Sequence, residues 1–134
     1  MQDALMKFEI QEIRPGCVVL RCSGGLSWED RAHLAERVDR HFAPLAVVAG
    51  AVLDLSAVEF VNSAGVGALF QLAQRLRVKG GRLLLAHAPP RLVRLFRLAG
   101  LNRVAPLCDD VATALAELDA NSAPSAARPT SDAR

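Results

Sequence analysis

The chain has 134 residues, 51% hydrophobic and 22% charged, with 16 basic against 14 acidic side chains and a formal net charge of +2. That length and composition fit one globular domain and exclude a wholly disordered chain. The near-neutral balance makes no demand for nucleic acid or an anionic membrane, and no apolar run approaches the roughly 20 residues of a membrane span.

The first ten residues, "MQDALMKFEI", lack the basic start and apolar centre of a secretory signal. Cys17, Cys22 and Cys108 fit neither a zinc spacing nor a paired framework. An odd count of this kind points to reduced thiols in a cytoplasmic protein, each a small buried hydrophobe.

In chain order, "FEIQEI" (8–13) alternates apolar and polar residues, as a strand with one wet face does. Pro15-Gly16 makes a turn, and "CVVLRCSG" (17–24) returns as the second arm of a hairpin. The stretch 27–42 has helical spacing, with Trp28, Ala32, Ala35, Val38 and Phe42 on one side and Ser27 as N-cap. "AVLDLS" (51–56) reads as a short buried strand near the middle of a sheet.

A second helix runs from Ser63 to about Val78, with Val66, Leu69, Phe70, Ala73 and Leu76 as its buried stripe. Lys79-Gly80-Gly81 ends it. "RLLLAH" (82–87) is another strand, Pro89-Pro90 opens a third helix stopped by Gly100, and "RVAPL" (103–107) suits a short edge strand. A last helix covers about 109–118.

The order is ββαβαβαβα, an α/β class in which a mixed sheet is covered by about four helices. Right-handed crossovers make the strands after residue 50 parallel. The domain is therefore 1–118. The remainder, 119–134, is rich in Ala, Ser and Pro without apolar periodicity, and is expected to be a disordered tail.

Several chemistries fail on the residues. "SAGVGALF" has Gly65 and Gly67, but Phe70 stands where a dinucleotide fingerprint needs a small residue, and there is no phosphate-loop GK[ST]. A hydrolase elbow would need glycine where Val61 stands. His87 follows, yet no paired carboxylate or second histidine completes a catalytic set. His33 and His41 are eight apart on one helix, too far for an i, i+4 metal pair. Arg91, Arg94 and Arg97 form a row opposite Leu92, Val93, Leu95 and Phe96, which reads as a solvated face, with contact to a partner or to nucleic-acid phosphates as the alternative. No catalytic residue, metal site or cofactor is expected.

One composite feature remains. "VLDLSAVEFVNSAGVGAL", then a helix, "KGGRLLLA" and "PPRLVRLFRLAGLNRV", resembles the STAS family of bacterial anti-sigma-factor antagonists over about residues 6–118. The resemblance implies a cytoplasmic binding module without catalysis. It implies a partner that is both serine kinase and anti-sigma factor, release when the kinase phosphorylates the serine heading the second helix, and a serine phosphatase that resets the cycle. The matching serine is Ser63, and Ser27, Asn62, Ala64, Gly65 and Gly67 match the partner-contact positions. Asn62 and Ser27 stand where the family often has Asp, so negative charge near the switch is reduced. No direct nucleic-acid contact and no membrane insertion are implied.

The residues themselves allow a plainer reading of Ser63, as the helix N-cap. That reading goes with a STAS-like structural or regulatory subunit of a transport or sensory complex, without a phosphoswitch. In the phosphoswitch reading, a phosphate on Ser63 would meet free backbone amides and the positive end of the helix dipole. The small neighbours would let another protein come close.

Overall fold

The computed structural model describes residues 7–26, 30–45 and 48–122. Five strands form one sheet in chain order: β1 (Lys7–Arg14), β2 (Cys17–Leu26), β3 (Gly50–Val61), β4 (Arg82–Ala86) and β5 (Leu107–Cys108). β1 and β2 are the expected antiparallel hairpin, whereas β2, β3, β4 and β5 are mutually parallel. The helices are α1 (Asp30–Phe42), α2 (Ser63–Val78), α3 (Pro90–Ala99) and α4 (Val111–Ser122). The order is the ββαβαβαβα expected from the sequence.

The sheet separates two cores. On one face Leu34, Val38 and Phe42 of α1, Val66, Leu69, Leu72, Ala73 and Leu76 of α2, and Leu92 and Phe96 of α3 meet Val18, Leu20, Leu53, Leu55, Leu83 and Leu85. On the other, Ala114 and Leu118 of α4 cover Cys17, Val19, Val52, Leu84 and Ala86. This two-sided burial explains the unbroken apolar runs of β3 and β4, since neither strand has a wet face in the middle of the sheet. Gly50 starts β3 with φ +146°, and a Cβ built there would lie 2.1 Å from the Arg82 carbonyl oxygen. Only glycine lets the two backbones approach that closely.

Several boundaries differ from those expected. β3 continues to Val61, five residues beyond Ser56, because Val58 and Val61 stay buried while Ala57, Val58, Phe60 and Val61 pair with β2. Of the edge strand expected at 103–107, only Leu107 is in a strand. A 3-10 turn occupies Leu101–Arg103, driven by the buried Leu101 and Ala105, and the edge strand is only Leu107–Cys108. α4 extends to Ser122, past the Leu118 boundary, and Arg14 pairs with Asp119 at 2.5 Å. The rest of the expected tail, 123–134, lies outside the described residues.

Within α2, Phe70 is only half-buried, and Ala68 and Leu72 join the buried stripe. In α1 Leu34 replaces Ala35 as the principal buried residue of its turn. Trp28 lies outside the described residues. Cys17 and Cys22 are buried free thiols and Cys108 is partly exposed.

Candidate functional site

The junction of β3 and α2 sits where the parallel strands end. β3 delivers Val61 to the core, and the chain turns at Asn62, whose backbone is extended (φ −90°, ψ 176°). The Asn62 side chain accepts a hydrogen bond from the Gly65 amide at 2.7 Å, and its carbonyl accepts one from the Val66 amide at 3.0 Å. Asn62 is thus the N-cap, and Ser63 is the first helical residue. This corrects the reading of Ser63 as the cap. Asparagine is among the best N-cap residues, and its oxygen reaches the third amide of the helix in the usual way.

The consequence for Ser63 is chemical. Its side chain has no capping duty and, among the described residues, makes no hydrogen bond. Asn62, Ser63 and Ala64 are all exposed, whereas Gly65 is buried and Gly67 half-buried. The first-turn amides of Ser63 and Ala64 have no intrahelical partner, so two backbone donors and the dipole's positive end lie beside the Ser63 hydroxyl. No acidic residue occupies the first turn of α2.

The strand register brings the end of β2 to the same place. Gly24 pairs with Val58, Gly25 with Phe60 and Leu26 with Val61. Ser27, assigned by the sequence to this surface, lies outside the described residues. Phe60 lies with its ring over Gly25, where a Cβ would come within 2.1 Å of the ring, and remains 45% exposed. Sequence reasoning missed Phe60 because the strand was expected to stop at Ser56. The available signal was Val58 and Val61 recurring around a large apolar side chain. Beside it, the Arg91 guanidinium of α3 donates to the Glu59 carbonyl oxygen. Arg91, Arg94 and Arg97 are exposed opposite the buried Leu92 and Phe96, with Val93 and Leu95 half-buried, as the solvated-face reading expects.

A second polar group escaped notice in the sequence. Asp54, the lone acid in the apolar run of β3, is 7% exposed. It accepts from the Ser56 amide at 3.1 Å and pairs with Arg21 at 3.4 Å, and Arg21 in turn donates to Gln11 at 3.2 Å. Burial, and secondarily the Asp54 charge, push the Cys22 thiol up to about 12. A thiol so raised is an inert core group rather than a nucleophile.

The histidines are dispersed. His33 packs against Phe8 with tilted rings 5.3 Å apart between centroids, His41 lies 3.8 Å from Glu12, and His87 follows β4 with φ +59°. Among the described residues no group of three or more His, Cys, Asp or Glu side chains is placed to hold a metal ion. No helix among them is long and apolar enough to cross a membrane.

Comparison with known proteins places this geometry. Residues 10–114 match the family model for the STAS domain. The chain is similar to an anti-sigma F factor antagonist of Paenibacillus polymyxa, with 26% identity over 118 residues that cover 85% of this chain and 96% of that protein. Its fold matches the structure of the anti-sigma factor antagonist SpoIIAA in its unphosphorylated form, with a TM-score of 0.71 and 20% identity over 84% of this chain and 96% of the other. It also matches part of a murine anion transporter, solute carrier 26 family member A9, with a TM-score of 0.69 and 19% identity over 83% of this chain but 19% of the transporter. A family match that spans most of the chain, on a sheet and helix order of this kind, settles its membership: the protein belongs to the STAS-domain family.

Proposed function

We propose that the chain is an anti-sigma-factor antagonist of a partner-switching cascade, working in the cytoplasm without catalysis of its own. Its partner is a serine kinase that is also an anti-sigma factor. The kinase docks on the start of α2 and is released when it phosphorylates Ser63, and a serine phosphatase restores the unmodified chain. The transcriptional consequence runs through the sigma factor so freed.

The observation that carries this reading is the division of labour between Asn62 and Ser63. Asn62 closes the helix through its 2.7 Å bond to Gly65, so the exposed Ser63 hydroxyl is not needed for folding. A phosphate on it adds about −1.5 to −2 charges without breaking the cap. The Ser63 and Ala64 amides and the dipole stabilise that charge in the free chain. In the bound state the same charge is forced into a contact that had fitted a neutral hydroxyl, and an unpaired interfacial charge costs several kcal/mol. Ala64, Gly65 and Gly67 keep the surface low, and the half-exposed Phe60 ring offers an aromatic anchor beside it.

The test is phosphosite mapping by mass spectrometry after incubation with the cognate kinase. One phosphate on Ser63, absent from Ser63→Ala, supports the proposal. Modification elsewhere, or none, leaves the structural-subunit reading in its place. Purified chain is expected to hydrolyse neither esters nor nucleotides. Turnover that persists through purification and vanishes in Ser63→Ala would overturn the binding-module reading.

A further inference from the structure

At the end of the sheet remote from Ser63, three arginines from three elements line one cavity of about 290 Å³. Arg77 comes from the last turn of α2, Arg82 is the first residue of β4, and Arg103 closes the 3-10 turn before β5. Val104 and Pro106 complete the wall. Arg82 is level with Gly50 in the sheet register, at the start of β3, whereas Ser63 follows the other end of that strand.

The charges here are poorly balanced. Arg82 reaches Glu117 of α4 at 3.4 Å. Arg77 and Arg103 have no ion-pair partner among the described residues, and both are exposed. A helix C-terminus accounts for a cation at Arg77. It does not account for two more guanidiniums lining the same hollow, where like charges repel. Planar guanidinium forks match the oxygens of a phosphate group, and several around one concavity share its charge. The apolar Val104 and Pro106 limit competition from water on one wall. The volume exceeds what a single oxyanion fills, leaving room for a substituent.

We propose that the Arg77/Arg82/Arg103 cavity is a binding site for a phosphate group carried by a larger molecule. The site is independent of Ser63 and stands whether or not that serine is modified. The shared chemistry is the phosphate, and its source is either a soluble phosphorylated compound or a phospholipid headgroup.

The experiment titrates isotope-labelled full-length chain with pyrophosphate at constant ionic strength, following backbone amide shifts by NMR, and measures co-sedimentation with phosphatidic acid vesicles in parallel. Saturable shifts confined to residues near Arg82, Arg103 and Val104, weakened at least tenfold in Arg77→Gln/Arg103→Gln and unchanged in Arg94→Gln, support a soluble ligand. Sedimentation with the same dependence on the variants, without a pyrophosphate response, supports a lipid headgroup. Both replaced arginines are exposed, and thermal unfolding checks that the variants fold. If neither probe binds saturably, or if the double variant binds as well as the parent, the site does not exist.

Discussion

Asn62 and Ser63 differ by one position and by role. Asn62→Ala removes the acceptor of the Gly65 amide and should cost about 1 kcal/mol. Ser63→Ala should leave the thermal midpoint nearly unchanged, because the serine has no capping bond to lose. Thermal unfolding of the two variants side by side checks this, and a larger loss in Ser63→Ala would return the cap to Ser63. Asn62→Asp keeps an acceptor for the cap but sets a carboxylate beside the modified serine, so the phosphorylated chain should be less stable in that background. Cys22 gives a second expectation at this scale. Its thiol stays protonated to about pH 12 in the folded chain, against 9.0 for a free one. Below pH 9 both states hold the proton, so the stabilising difference is fully present. Above it the unfolded chain ionises first, and stability falls by about 1.4 kcal/mol per pH unit until the folded thiol also titrates. Urea midpoints at pH 8 and pH 10 should therefore drop less in Cys22→Ala than in the parent; equal drops would place the Cys22 thiol in contact with solvent.

At the scale of elements, β3 ties the fold to the site. Gly50 at its start admits the β4 backbone, and Gly50→Ala would force a Cβ against the Arg82 carbonyl in a backbone region that side chains avoid. A loss of about 2–3 kcal/mol is expected, measured by denaturant unfolding; no loss would mean that β3 and β4 can separate at that end. Much of the element order was legible because helices and strands alternate with clear stops at Pro15-Gly16, Gly80-Gly81 and Gly100. The bounds of α2 and α3 follow from Ser63 and Pro90 at their starts. The far half of β3 was not legible, since Ser56, Ala57 and Glu59 interrupt the apolar run, and it is the pairing of Ala57, Val58, Phe60 and Val61 with β2 that continues the strand. Phe60 was lost with it. The 101–108 stretch failed for a related reason: the Leu101 carbonyl accepts from the Val104 and Ala105 amides, local turn bonds that burial of Leu101 and Ala105 holds in place and that apolar spacing alone does not separate from a strand. The cap was misassigned between neighbours because Asn and Ser have nearly equal N-cap preference, and only the observed Gly65 bond separates them.

In the molecule as a whole, the two ends of the parallel sheet carry different surfaces. One end presents Ser63, the small residues after it and Phe60; the other gathers Arg77, Arg82 and Arg103. Three helices hold the first core and α4 alone holds the second. The domain boundary is accordingly set by α4. Removing 123–134 should leave the thermal midpoint unchanged, whereas truncation after Leu118 strips the last helical turn and the Arg14–Asp119 pair and should lower it by a few degrees. Equal midpoints for the two truncations would show that the last turn of α4 contributes nothing. The proposed switch needs none of this scaffold to move: the start of α2 exposes the Ser63 hydroxyl, and the added charge would act on the partner. The most direct test is the affinity of the chain for the proposed anti-sigma-factor kinase before and after stoichiometric phosphorylation of Ser63, with Ser63→Ala as reference. Phosphorylation should weaken binding at least tenfold, about 1.4 kcal/mol, while Ser63→Ala binds like the unmodified chain. Unchanged affinity after phosphorylation would contradict a phosphoswitch at Ser63.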